Sequence, residues 1–444
     1  MEINFDIDFD KYRKILEVVS LSKDVGKVNQ VTGFLLKGYL PGASLGGVVE
    51  IYPSTKEHKF LAEVVGFQDK NVLFMPLGEM RGVGLGSQIV LERQTATIGV
   101  GQGLLGRVID ALGRPIDGKG EISYSDEFPL YRSSTNPMMR PPITEALDLG
   151  VRAINGFLTV GSGQRMGIMA GSGVGKSVLL GMLARSTNAD INIITLIGER
   201  GREVREFIEN DLGEEGLKRS VIIVATNDQS PLLRMRGAFV GCALSEYFCQ
   251  SGSNVLLMMD SVTRFAMAQR EVGLNTGEPP ATKGYTPSVF SLLPKLLERA
   301  GNFTNGKSIT GIYTVLVEGD DLDDPIADSV RSIVDGHIVL DRTLAEKGHF
   351  PAIDILKSTS RLQRFVVTPE VLKSSRILRE LMAIYKEAED LIRIGAYKVG
   401  SNAQIDKAIQ LQPIINEFLQ QEIVDKTKLK NTFIMMDEII QQVS

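Results

Sequence analysis

The stretch Ala170-Gly171-Ser172-Gly173-Val174-Gly175-Lys176-Ser177 constrains this chain more than any other. It follows the apolar run QRMGIMA (164–170) and opens the helix-like run SVLLGMLARST, so the pattern predicts strand, loop and helix in succession. Small residues let a backbone wrap closely around a phosphate, so that successive N–H groups and the helix amino terminus meet the negative charge. Lys176 would then reach the β- and γ-phosphates of a nucleoside triphosphate, and the Ser177 hydroxyl would take a place on Mg²⁺. Ala170 stands where the stricter pattern has its first glycine, which alanine can replace provided the local φ is negative. A glycine-rich turn with an adventitious Lys-Ser has the same letters but does not account for both flanking elements.

The surroundings suit such a loop. Between 94 and 361 apolar runs alternate with helical stretches, which is the sequence form of a parallel sheet covered on both faces. The runs lie at 164–170, 191–198, 221–226, 254–260, 308–318 and 336–341. Residues 23–93 instead carry short strand-like runs broken by Gly, Pro, Asn and Lys, which predicts a small β-barrel. After Arg361 helix formers dominate, so 362–444 reads as a helical carboxy-terminal domain. Residues 1–22 predict a short amphipathic helix, with Phe5, Phe9, Tyr12, Ile15 and Val19 at helical spacing, suited to docking. The expected fold is therefore α/β, with an amino-terminal β-barrel, a central P-loop parallel-sheet nucleotide domain and a helical carboxy-terminal domain. At 444 residues the chain is longer than one core usually supports, which agrees with several domains.

Composition removes some function classes. Lys+Arg total 49 against Asp+Glu 54, for a net charge of -5, so the surface as a whole is not built to attract nucleic acid. Cys242 and Cys249 form no CxxC pair and read as two buried free thiols in helical sequence, as in a reducing compartment. The amino terminus lacks the basic-then-apolar order of a secretory signal, and no run reaches membrane-spanning length. The expectation is a cytoplasmic protein whose membrane association comes through partners.

Two further carboxylates belong with the loop. The apolar run NVLLMMD ends in Asp260, placing it at the sheet edge where ligands bind, where it would hold Mg²⁺ through water. Read alone, Asp260 is equally an N-cap for the helix-like SVTRFAMAQRE. The run INIITLIG ends in Glu199-Arg200-Gly201-Arg202-Glu203, which brings Glu199 to the same edge as a candidate general base. A surface charge cluster carries the same signature.

These residues resemble the catalytic subunits of rotary ATPases and their secretion relatives. The resemblance rests on LLGRVIDALGRPIDGKG (104–120), AGSGVGKS (170–177), GERGREVREF (198–207), Asp260 through Arg264, PSVFSLLPKLLERAG (287–301) and PAIDILKSTSR (351–361). It implies a ring, a homohexamer, with nucleotide sites between subunits. It also implies that Glu199 polarises the attacking water and that Arg361 is an arginine finger given to a neighbouring site. Arg200 and Arg264 match positions near the γ-phosphate, or are structural ion pairs, and Phe350 matches an aromatic that stacks on adenine, or is a core phenylalanine. Segments such as GAYKVGSNAQIDKAI and TKGYTPSVFSLLPKLLERAG look like the flagellar type III export ATPase. That resemblance implies ATP hydrolysis with Mg²⁺ and peripheral placement at a membrane-embedded export apparatus. It also implies a stator or regulator protein at the amino terminus, a central stalk protein, export gate membrane proteins, and export chaperones and substrates as partners.

Other readings share the core. A virulence-type secretion ATPase has the same site, and a hexameric RNA translocase would need strand-reading aromatic or basic residues in its barrel. The barrel sequence here has no aromatic stacking cluster. A nucleotide-gated scaffold would use the helices at both ends as docking faces.

Overall fold

The computed structural model describes residues 23–53, 58–133, 135–317, 319, 321 and 323–442. The helix predicted within residues 1–22 lies outside them. The chain divides after Ala96 into two compact units.

The first unit is a closed barrel of six strands: β1 (Val25–Thr32), β2 (Leu35–Tyr39), β3 (Val48–Tyr52), β4 (Phe60–Gln68), β5 (Asn71–Pro76) and β6 (Gln88–Arg93). Their order is β1-β2-β5-β4-β3-β6, and β1 returns to β6 through the pair Val25 and Val90. The sequence run 25–40 becomes two strands because Gly33 adopts φ 55°, a left-handed conformation that turns the chain at little cost to glycine. Closure leaves no open edge, and Leu36, Val49, Ile51, Ala62, Phe74 and Ile89 fill the interior.

The second unit is built on a nine-stranded sheet. Its main strands are β7 (Arg107–Asp110), β8 (Arg165–Ala170), β9 (Ile191–Ile197), β10 (Ser220–Ala225), β11 (Val255–Asp260), β12 (Ser308–Leu316), β13 (Gly336–Leu340) and β14 (Ile353–Ser360), in the order β14-β13-β8-β12-β11-β9-β10-β7. The pairs from β13 to β7 are parallel, and every residue of β9, β10 and β11 is buried, as expected of strands covered on both faces. Two strands are exceptions: β14 runs antiparallel to β13, and the two-residue strand Gly301–Asn302 runs antiparallel to β12.

Helices Pro369–Arg393, Ala403–Leu419 and Leu429–Gln441 follow the sheet. They pack around the short helix Arg152–Phe157, and Phe157, Leu378, Leu411, Phe418 and Met436 belong to the same core as Ile168 and Leu180. One continuous core explains why the carboxy-terminal helices and the sheet form a single unit. Arg152 fastens the junction, with Nε donating to the Phe418 carbonyl at 2.7 Å.

Both cysteines are buried and free, and burial pushes each thiol up to about 12. Beside them Arg299 pairs with Glu246 at 2.6 Å, their side chains only 1% and 9% exposed. Removing one member of a buried pair strands the other charge, so Glu246→Ala should destabilise this unit by about 3–5 kcal/mol. A urea titration followed by circular dichroism measures it.

Candidate nucleotide site

The site begins where β8 ends. Ala170 is the last residue of that strand, is buried, and is not among the positive-φ residues, so its backbone needs no glycine. The chain then turns through Gly173 (φ 78°) and Gly175 (φ 89°), conformations that side chains rarely tolerate. Val174 is buried, anchoring the loop, whereas Ser172 and Gly173 face outward. A Cβ on Gly173 would meet nothing within 4 Å, so this side of the loop is open. Helix Lys176–Ser186 starts here with Gly175 at its N-cap, which offers no side-chain cap to the first N–H groups. Those donors, Ser177 among them, are suited to an anion.

Three charged side chains converge beside the loop. The Lys176 ammonium donates to Asp260 Oδ1 and lies 3.6 Å from Glu199 Oε1. Register explains the meeting: Leu196 is level with Asp260 between β9 and β11, so both carboxylates leave the same carboxyl edge as Ala170. Asp260 is not the cap of the next helix. Ser261 takes that role, accepting from the Arg264 N–H at 3.3 Å, and the Asp260 side chain is left to the site. Burial raises the Glu199 carboxyl to about 7; the Lys176 charge opposes this, while Asp260 and a hydrogen bond with Glu203 add to it.

Arg264 packs beside the end of β9. Its aliphatic stem lies against Gly198, where a Cβ would come within 2.9 Å of Arg264 Cβ, and its buried Nε has no hydrogen-bond partner. Phe350 is 47% exposed and lies across the loop, its ring atoms 3.6 Å from a Cβ built on Gly175. It is therefore not a core residue. Arg200 is placed apart: its side chain is 77% exposed and reaches Glu203 at 3.5 Å, not the lysine cluster.

Arg361 is at the other end of the sheet. β14 pairs Ile353 with Leu340 at the loop edge and Ser360 with Gly336 at the opposite edge, and the Arg361 N–H donates to the Asp335 carbonyl at 2.9 Å. At about 3.3 Å per residue, the five residues between the levels of Leu340 and Asp335 put Arg361 roughly 16 Å along the sheet from its own phosphate loop. Its side chain is exposed there, donating to the Arg331 carbonyl at 3.2 Å.

Two contacts at the site have no counterpart in the sequence reading. The Thr314 hydroxyl donates to Asp260 Oδ1 at 2.6 Å, and the Gln421 N–H donates to the Phe350 carbonyl at 2.9 Å. Each joins segments far apart in the chain, and neither residue belongs to a local motif.

The residues fit a magnesium nucleotide. An uncapped helix start and open glycine loop suit phosphate, while two carboxylates share one lysine, leaving oxygen donors of net negative charge for a hard divalent cation.

Fold and site together define an ATP hydrolase of the P-loop class. The nucleotide-binding domain of the ATP synthase alpha/beta family matches residues 150–360, and the T3SS EscN ATPase C-terminal domain matches 367–438. The "Flagellum-specific ATP synthase" of Bacillus subtilis is 53% identical over 407 residues, which cover 91% of this chain and 93% of that protein. The assembled ATPase EscN of the enteropathogenic E. coli type III secretion system superposes with a TM-score of 0.88 at 47% identity, over 94% of this chain and all of that one. The structure of assembled EscN in complex with its central stalk EscO gives 0.87 at 46% identity, over 94% and 100% of the two chains. This chain belongs to the family of flagellum-specific and type III secretion ATPases. Among the described residues, no helix is long and apolar enough to cross a membrane.

Proposed function

We propose that the chain assembles into a homohexameric ring whose ATP hydrolysis drives protein export through the flagellar type III apparatus, with each nucleotide site completed by a neighbouring subunit. One observation carries the reading: Lys176, Glu199 and Asp260 converge at one sheet edge while Arg361 is exposed at the opposite edge. A finger so far from its own site serves a neighbour's. The flagellar assignment is supported by the Bacillus subtilis relative and by the segments GAYKVGSNAQIDKAI and TKGYTPSVFSLLPKLLERAG, and the ring and central stalk by the assembled EscN structures.

In this reading the backbone of residues 170–177 holds the phosphates and Lys176 leaves the carboxylates to neutralise the β- and γ-phosphates. Glu199 orients the attacking water and takes its proton, and Arg264 faces the γ-phosphate. Phe350 stacks on adenine. Of the two roles the sequence leaves for Arg200, its pairing with Glu203 at 3.5 Å supports the structural ion pair. Ser177 and Asp260 would hold Mg²⁺, which when bound supplies charge neutralisation on the phosphate oxygens.

The functional divisions are docking for 1–22, a barrel for 23–93, chemistry for 94–361 and helical coupling for 362–444. The protein works in the cytoplasm, peripheral to the export gate, with a stator or regulator at its amino terminus and chaperones and substrates delivered to it.

Lys176→Ala tests the reading. Phosphate release should fall at least about a hundredfold, as when an aligned electrostatic donor is lost, with an unchanged circular dichroism melt. A flagellated strain carrying only this variant should lose its filaments by electron microscopy. Full activity in the variant would overturn the site, and filaments despite lost hydrolysis would favour a scaffold role. Strong stimulation of hydrolysis by RNA would favour the translocase alternative.

A further inference from the structure

We infer that Thr314 is a positioning residue for the metal-holding carboxylate: its hydroxyl fixes which oxygen of Asp260 is presented to the magnesium nucleotide. The inference rests on the proposed role of Asp260.

Thr314 lies in β12, the strand beside β11, and its side chain is fully buried. The hydroxyl has one proton and two acceptors within reach, Asp260 Oδ1 at 2.6 Å and the Met259 carbonyl at 3.3 Å. The shorter bond goes to the charged oxygen, as charge-assisted bonds do. Lys176 donates to that same Oδ1, so both donors occupy one oxygen, and the inference assigns the other, Oδ2, to the ligand. The two donors differ in what they can do. Lys176 has a long, mobile stem and a second assignment on the phosphates, so it cannot hold Asp260 throughout turnover. Thr314 has a short β-branched side chain that is stiff at χ1 and is held in the middle of the sheet between β11 and β8. It is the donor that stays.

Groups that orient a metal-holding side chain affect metal affinity on the order of 10- to 100-fold when removed. Thr314→Val deletes the hydroxyl with little change of shape, Thr314→Ser keeps it, and Thr314→Ala is a second deletion should valine impair folding. The readout is binding of a fluorescent ATP analogue as Mg²⁺ is titrated, with binding in EDTA measured in parallel. Thr314→Val should raise the Mg²⁺ concentration for half-saturation about tenfold or more and leave binding in EDTA unchanged, with Thr314→Ser close to wild type. With Mn²⁺ as probe, the valine protein should also show an altered electron paramagnetic resonance spectrum in the presence of ADP. A valine protein with wild-type Mg²⁺ dependence overturns the inference, as does equal loss in the valine and serine proteins, which would mean packing alone. Asp260→Asn separates this from the parent reading. If it leaves the Mg²⁺ dependence unchanged, the metal role of Asp260 has failed; if it shifts that dependence and Thr314→Val does not, only the role of Thr314 has failed.

Discussion

An Arg361→Ala protein should bind ATP like wild type and hydrolyse it on the order of a thousandfold more slowly, because a finger arginine stabilises charge that spreads only during phosphoryl transfer. The direction of β14 makes the prediction specific. That strand carries the chain from Ile353, level with Leu340 at the loop edge, back to Ser360 at the opposite edge, so Arg361 cannot serve the site on its own chain. Mixing supplies the decisive measurement. Arg361→Ala subunits keep Lys176 but lack the finger, and Lys176→Ala subunits keep the finger but lack the lysine. Rings assembled from both contain interfaces with an intact pair, and phosphate release should exceed the sum of the two parents. Mixed rings, verified by native mass spectrometry, that stay as inactive as their parents would exclude donation between subunits. Arg361→Lys should rescue poorly, since an ammonium lacks the planar fork that grips two oxygens at once.

Glu199→Gln should cut the hydrolytic rate by roughly 10²- to 10⁴-fold, the usual contribution of a positioned general base, while nucleotide affinity stays within about threefold, since the amide keeps the shape and only the base is lost. The wild-type rate should rise with pH through about 7, where the buried carboxyl loses its proton, and the residual rate of the glutamine protein should not follow that curve. Stability should move the other way. Burial raises the Glu199 pKa from an ordinary 4.5 to about 7, so between these values the folded chain holds a proton that the unfolded chain has released. The carboxyl's contribution to stability is therefore fully present below about pH 4.5 and is lost as pH rises through about 7. Glutamine has no proton to lose. Glu199→Gln should melt higher than wild type at pH 8, with a smaller difference at pH 5, as measured by differential scanning calorimetry. A variant both inactive and less stable at pH 8 would point to damage at the sheet edge and not to a missing base.

Elements of this fold differ in how plainly the sequence marks them, for physical reasons. β9, β10 and β11 are buried on both faces, so their sequences are unbroken apolar runs that a scan along the chain finds directly. β7 and β14 lie at the sheet margins, are short or partly polar, and were visible only as motif segments, not as strands. Helix Pro231–Gln250 is buried almost all round, which removes the periodicity that marks a surface helix; the run 234–250 shows as helix by its length, and its true start, Pro231 capped by Ser230, comes from the structure. Taken alone, Asp260 is as much an N-cap as a metal ligand in sequence, and only its pairing with the phosphate loop favours the metal. The structure gives the capping role to Ser261, because its hydroxyl, not the carboxylate, is within reach of the Arg264 N–H. Phe350 likewise had a core alternative, which its exposure beside Gly175 removes. Arg200 and Arg264 looked alike in sequence, but one points into solvent toward Glu203 and the other lies over Gly198.

The phosphate loop, the chain order of the buried central strands, and the placing of Glu199 and Asp260 at strand ends were all determined by the amino-acid sequence by itself. Each depends on neighbours a few residues away: small residues for left-handed turns, apolar runs for buried strands. Only the tertiary structure decided that one lysine is shared by two carboxylates, that Thr314 grips Asp260, and that Arg361 emerges at the far edge. Those relations follow from which strands lie side by side and in which direction they run, and strand pairing joins residues whose separation along the chain carries no local signal.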